Sequence, residues 1–314
     1  MKEFLQRTIL LVALHMLTKY SQQLGYAISI LLFVCFTIRY HIKKKVSDDD
    51  PLFQDSPPKI DCPICFLPMP YNSGACGVHT SYQSCCGKII CAGCVQASRD
   101  EIKRRNKERS KKKKMEDLCP FCRTPPTNSD KEEIKRIEIR IKLNDAEAFL
   151  RLGNGYNYGI HWGLPKDRNK AFELYTQAAK LGSIEAQDQI AKAYKTGAYL
   201  FGQGVKWDMN KARYHMELAA IGGHEVARHN LGLMEKRFNG NIYLAMKHFM
   251  IAASSGLEMS LKEIGEGHKA GYVTKDEYTK TLRAYQNIRE EMKSEQRTKV
   301  AELYSSTYKT FRAI

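Results

Sequence analysis

Eight cysteines fall in four short steps: Cys62-x-x-Cys65, Cys85-Cys86, Cys91-x-x-Cys94 and Cys119-x-x-Cys122. A Cys-x-x-Cys step puts two sulfurs on one tight turn, close enough to share an ion of tetrahedral preference. Eight such ligands make two four-coordinate zinc sites. Ten cysteines in a secreted chain would point to disulfides instead. Here nine lie between Cys62 and Cys122 and none comes later, whereas a disulfide framework would staple the whole chain. The cluster therefore predicts metal ligands in a reducing compartment, cytosol or nucleus. Residues 60–126 hold too few large apolar side chains for a self-sufficient core, so metal must supply folding free energy there.

Turns and short elements have to carry these steps. Their order resembles the RING finger family, on the motifs CPIC at 62–65 and CPFCR at 119–123. The resemblance covers residues 60–126 and implies a cross-brace, in which the first and third ligand pairs share one zinc and the second and fourth share the other. Carried over, Cys62, Cys65, Cys91 and Cys94 hold the first ion, and Cys85, Cys86, Cys119 and Cys122 the second. The chain departs from the family twice. Cys85 and Cys86 are adjacent, where the family's second pair includes a His or a spacer. The stretch Cys86-Gly-Lys-Ile-Ile-Cys91 resembles the all-cysteine RING variant of the Not transcription-regulator ligases, which favours Cys86. Cys76 or His79 is the alternative to Cys85. The other departure is the length of the stretch from Cys94 to Cys119, which contains a basic insertion.

The RING resemblance implies a ubiquitin ligase with no nucleophile of its own. Such a domain docks a ubiquitin-conjugating enzyme and holds its ubiquitin thioester in a reactive pose, so that catalysis comes from orientation. The family docks through an apolar residue inside the first CPxC, here Ile64, and the Pro of the last, here Pro120. A cation just after the last ligand bridges ubiquitin and conjugating enzyme, and Arg123 stands there. Arg suits that role because its planar fork donates several hydrogen bonds at once. In the plain packing alternative, Ile64 and Pro120 fill turns around the metal and Arg123 is a surface charge.

The formal charge is +16, and Arg99–Lys114 contributes ten Lys/Arg against three Asp/Glu. That patch could serve nuclear import or nucleic acid. No aromatic residue lies between Cys94 and Phe121 to stack on bases, which argues against nucleic acid and for a solvated helix and loop.

Two apolar runs, Thr8–Leu17 and Leu24–Ile38, open the chain. Fifteen helical residues from Leu24 cover about 22 Å, short of a hydrocarbon core of about 30 Å. A span over 20–40 reaches that length by including Ser21, Gln22 and Gln23. Residues 1–45 thus read as a hydrophobic N-terminal segment and candidate membrane anchor. The alternative is an amphipathic or buried helix. Arg39 and Lys43–Lys45 favour a cytosolic position for the rest of the chain. The expected location is the cytosolic face of a membrane if the span is real, and otherwise cytoplasm or nucleus. Residues 46–59, rich in Asp and Pro, read as an exposed linker.

Helical repeats come after the cysteines. Ile134, Ile137 and Ile141 recur at helical spacing and predict a connecting helix over 130–144. Beyond it Ala148, Ala186 and Ala227 align, with Leu152, Ile190 and Leu231 four residues on. Downstream Ala171, Ala212 and Ala245 match, then Tyr175, Met216 and Phe249, then Ala179, Ala220 and Ala253. Gly182, Gly223 and Gly256 close the units. Small residues at crossings let helices approach closely. The stretches Gly163–Ala171 and Gly204–Ala212 carry a resemblance to the Sel-1-like repeat, a relative of the tetratricopeptide repeat. That resemblance implies a helical solenoid over 145–271 that binds a protein substrate or adaptor. Residues 272–314 read as a capping helix, running from about Lys275 to Tyr304, and a tail.

No phosphate-cradling loop or nucleophile elbow is present. Gly153-Asn-Gly155 reads as a turn, His215, His224, His229 and His248 as core or surface residues, and Trp162 and Trp207 as packing near unit turns. The fold expected is a small zinc-stapled cross-brace RING domain plus an all-α helical-repeat solenoid, with a candidate N-terminal transmembrane helix. The function expected is a RING-type ubiquitin ligase requiring two zinc ions, with a non-catalytic zinc-binding scaffold as the alternative.

Overall fold

The computed structural model describes residues 50–69, 80–108, 116–159, 162–197 and 205–311, the last eight by backbone only. The chain divides into two compact units, Met1–Asp50 and Pro51–Ile314. The candidate membrane span at 20–40 lies outside the described residues. Among those described, no helix is long and apolar enough to cross a membrane.

The second unit begins with a 3₁₀ turn, Pro51–Phe53, and an extended stretch to Ile60. Further along stands a two-stranded antiparallel hairpin, β1 (Thr80–Gln83) and β2 (Lys88–Cys91), with Thr80 opposite Cys91 and Gln83 opposite Lys88. Tyr82, Ile89 and Ile90 suit a pleated surface. The turn between the strands closes through Gly87 N–H to Gln83 C=O at 2.7 Å. It carries Cys85 and Cys86, while Cys91 ends β2. At about 3.3 Å per residue, an extended run from Cys86 to Cys91 separates those thiols by roughly 16 Å. They cannot share an ion, so the hairpin places the Cys85–Cys86 pair and the Cys91–Cys94 pair in different sites.

Helix α1 (Ala92–Glu108) leaves β2 directly, and α2 (Asp130–Lys142) comes after the last cysteine step. The repeat helices come next: α3 (Ala146–Tyr158), α4 (Arg168–Lys180), α5 (Ile184–Thr196), α6 (Met209–Ile221), α7 (Glu225–Arg237), α8 (Ile242–Ser254), α9 (Glu258–Lys269) and α10 (Lys275–Glu291). Helices α3 and α4, α5 and α6, and α7 and α8 pack as pairs, and successive pairs stack. Side chains of Asp145, Asp167, Ser183, Asp208, His224 and Asn241 accept backbone N–H groups at the six N-termini. The aligned alanines 148, 186 and 227 are buried, as are Tyr175, Met216 and Phe249 across from them. Gly182, Gly223 and Gly256 have φ of 90°, 97° and 101°, where a side chain would be strained, so the glycine at this repeating position ends each pair and turns the chain to the next.

Gly153 and Gly155 are not in a turn. They lie inside α3, and a Cβ on Gly153 would sit 2.8 Å from the Tyr175 ring. The missing side chain lets that ring pack on the α3 backbone. Trp207 also departs from the packing reading, being 63% exposed.

The C-terminal residues form two helices, not one. The chain breaks at Met292–Ser294, and α11 (Glu295–Phe311) turns away from the stack to pack on α1. Helix α10 packs on α8 and α9 and covers that end of the solenoid. Residues 51–59 also depart from the exposed-linker reading, since Leu52, Phe53, Ser56 and Lys59 turn inward against the repeats.

Asp145 joins the cysteine module to the near end of the stack. Asp145 Oδ1 accepts the α3 N–H groups of Glu147 and Ala148, while Oδ2 accepts Tyr82 O–H and Arg140 Nε–H, each at 2.9 Å. Burial first, then the Asp145 carboxylate, raise the Tyr82 hydroxyl well above the ordinary tyrosine range. Asp145→Ala removes a cap and orphans two donors, and should cost about 2–3 kcal/mol. Chemical denaturation against Asp145→Asn, which keeps the cap, measures it.

Candidate functional site

The first thiol cluster joins Cys62, Cys65, Cys91 and Cys94, all four sulfurs lying within 4.8 Å of one another. Cys62 and Cys94 are 3.9 Å apart, and Cys65 and Cys91 are 3.8 Å apart. A tetrahedron with metal–sulfur bonds of about 2.3 Å has sulfur–sulfur edges of about 3.8 Å, so a zinc ion fits this cage. The backbone N–H groups of Cys91 and Cys94 point at Cys62 Sγ and Cys91 Sγ, each at 3.4 Å, as they would toward thiolates.

The second cluster joins Cys85 and Cys86 at the hairpin tip with Cys119 and Cys122, also within 4.8 Å. Cys85 and Cys122 stand 3.3 Å apart, slightly inside the ideal edge. Adjacent Cys85 and Cys86 both face the cluster. Cys76 and His79 lie outside the described residues.

The two Cys-x-x-Cys turns at either end of the module are built alike. Cys62 N–H bonds Leu67 C=O and Phe66 N–H returns to Cys62 C=O; Cys119 N–H bonds Thr124 C=O and Arg123 N–H returns to Cys119 C=O. Phe66 and Arg123, each just after the second cysteine, take left-handed φ of 57° and 61°. Each turn aims two sulfurs to one side.

Electrostatics distinguish the thiols. Burial pushes Cys62 up, but N–H groups of Cys91, Cys65 and Ile64 outweigh it and bring the thiol down to about 7. At Cys122 burial also opposes ionisation, yet the Thr124 side chain and backbone draw it down to about 6. Cys85, Cys86, Cys91 and Cys94 are all raised, by burial first and then by neighbouring thiols. The raised thiols in each cluster resist ionisation unless a cation shares the charge. All eight cysteines are free of disulfides.

Ile64 packs, half-buried, against Cys62, Ile90 and Cys91. Pro120 is half-buried, and Arg123 is exposed. Phe66 and Phe121, beside the second cysteine of one turn and inside the other, are exposed apolar groups. The described part of the basic insertion lies on α1, where Glu101 and Glu108 pair with Arg104 and Glu101 with Arg105.

Arg297 has no signal in the sequence. From α11 its guanidinium donates to Pro68 C=O at 2.7 Å and Leu67 C=O at 3.1 Å, and reaches Cys65 Sγ at 3.5 Å. Gly93 admits α11, since a Cβ there would stand 2.8 Å from Arg297 N.

A third polar cluster, Glu185, Asp188 and His224, does not fit a metal. His224 Nδ1 accepts Ala227 N–H at 3.1 Å, which keeps the ring proton on Nε2. That Nε2 faces both carboxylates at 3.5 Å. A protonated ring nitrogen is no ligand, and His224 is a helix cap.

The Sel1 repeat family matches residues 146–183 and 186–224, which hold α3 to α6. No RING family matches the cysteine-rich residues. No curated protein matches the chain. Among solved structures, a Sel1 repeat protein from Oxalobacter formigenes is 22% identical, with a TM-score of 0.44 over 51% of this chain and 64% of that one. Antigen c5321 of uropathogenic Escherichia coli, displaying an SLR fold, is 23% identical, with a TM-score of 0.41 over 55% of this chain and 36% of that one. The chain therefore spans less than two thirds of either. Residues 146–183 and 186–224 thus match the Sel1 repeat, within an all-helical repeat stack of a kind that suggests a protein-interaction scaffold.

Proposed function

We propose that this protein is a RING-type ubiquitin ligase whose cysteine module docks a ubiquitin-conjugating enzyme while its repeats hold a substrate or adaptor. The observation that carries this reading is the interlocked grouping of thiols, first step with third and second with fourth, in cages that suit two zinc ions. Zinc would be structural, since four protein ligands leave no open coordination position. Ile64 and Pro120 supply the apolar contact to the conjugating enzyme. Arg123, exposed on its left-handed turn, supplies the cation toward ubiquitin. Catalysis needs no group from this chain to react, only a held thioester. If the hydrophobic N-terminal segment anchors the chain, the ligase works at a cytosolic membrane face.

Ubiquitination with purified components tests this. The full chain should form ubiquitin conjugates with at least one of a panel of conjugating enzymes. Ile64→Ala and Arg123→Ala should each cut the rate by about 10- to 100-fold, losing roughly 1.4–2.7 kcal/mol of transition-state orientation. Two zinc ions per chain with no transfer across the panel would leave a non-catalytic zinc-binding scaffold, the reading that the Sel1 repeats favour by themselves.

A further inference from the structure

Helices α6, α7 and α8 already hold a peptide, and that peptide is the chain's own residues 51–60. Leu52 packs against the cluster of Ala191, Met216 and Leu231. Its carbonyl accepts a close bond from Arg228, whose other Nη donates to Ala220 C=O at 2.8 Å. Arg228 is 1% exposed and spends these bonds on main-chain carbonyls. The Phe53 ring sits 4.9 Å from that of His248, with Lys247 Nζ 5.7 Å from its centre. Lys59 pairs with Glu225 at 2.7 Å, the two side chains only 12% and 10% exposed. Pro57 lies against Gly223, where a Cβ would stand 3.1 Å from the proline ring.

Phe53, Ser56 and Lys59 turn inward at intervals of three, the repeat of a polyproline II helix, which Pro57-Pro58 favour. Beyond the 3₁₀ turn, from Phe53 to Lys59, such a stretch spans about 19 Å. The groove therefore reads four features of an extended chain: an aliphatic side chain, its main-chain carbonyl, an aromatic ring and a distant cation. Its buried charges answer that ligand. Arg228 and Glu225 are costly inside a protein without partners, and residues from 166 and 176 positions earlier supply them.

We propose that this groove is a recognition site for an extended, proline-containing peptide with an aliphatic–aromatic pair and a lysine six residues after the aromatic, and that residues 51–60 are a built-in occupant which a partner bearing the same pattern displaces. The site deepens the protein-binding role of the repeats. It stands on the groove alone and needs neither zinc nor ubiquitin transfer, so zinc content and conjugation measured in parallel separate its failure from that of the ligase reading.

The probe is a fluorescent synthetic peptide of residues 50–61, offered to the full chain. A tethered copy competes at an effective concentration on the order of millimolar, so the unaltered chain should bind the probe weakly. Leu52→Ala with Phe53→Ala loosens the tether and should tighten probe binding at least about 10-fold. Adding Arg228→Gln should abolish that gain. Adding Glu225→Lys instead should reject the probe and accept its Lys59→Glu version. A loosened chain with unchanged helical circular dichroism that binds no better than the parent overturns the proposal. If the loosened chain does not fold, the unaltered chain decides. With millimolar peptide carrying a benzophenone in place of Phe53, cross-links should map to α8 around Lys247 and His248. Cross-links elsewhere, or an equal yield from a scrambled peptide, overturn it.

Discussion

Cys62→Ser should lower the zinc content of the full chain from two ions to one and unfold the cysteine module while the repeats stay helical. Structural zinc contributes an apparent 10–16 kcal/mol or so to small domains of this kind, far more than the few apolar groups around Ile90 can supply. Loss of one ligand from the buried cage removes most of that for one ion. Native mass spectrometry under reducing conditions counts the metal. Amide exchange should show β1, β2 and the start of α1 exchanging fast, with α3 to α8 still protected. Cys85→Ser should do the same at the second cluster. If the cluster uses Cys76 or His79 in its place, Cys85→Ser keeps two ions and those variants lose one. A parent chain holding no metal would remove the basis of the ligase proposal.

Acid should destabilise the repeats through His248. Burial, then the charges of Arg228 and Arg213, push its imidazole down to about 3 from an ordinary value of 6.5. The ring is therefore neutral in the folded protein, and the unfolded chain binds the proton first. Stability from this group is complete above pH 6.5 and falls as pH drops from there toward 3. Between pH 7 and pH 5 the loss is about 2 kcal/mol, growing by about 1.4 kcal/mol for each further unit. His248→Phe keeps a ring against Phe53 and cannot titrate. Urea unfolding at pH 7 and pH 5 should show the parent losing about 2 kcal/mol more than the variant. An equal loss in both would mean that His248 takes up its proton while folded.

The repeat register was legible because it is written in side-chain size. Ala148, Ala186 and Ala227 recur at the same place in each unit, and all three are fully buried. The thiol steps were legible from spacing, although adjacent Cys85 and Cys86 needed the hairpin tip to explain how both can face one cluster. Gly153 misled, since glycine marks a turn far more often than a site where a ring lies on a helix. Residues 51–59 misled for a related reason. Asp- and Pro-rich composition signals a solvated loop, and only the groove, built from residues far later in the chain, reveals which side chains turn inward. Arg297 carries no local pattern at all, and its role exists only once α11 has returned to α1.

That return changes the mechanics of the molecule. An ordinary superhelix of stacked pairs has loose ends and flexes like a spring. Here Arg297 fastens the far end to Leu67 and Pro68 beside the first thiol cluster, while Asp145 fastens the near end to β1. The ends are thus looped through one small body, and a change of curvature in the stack would pull on the turn that holds Cys65.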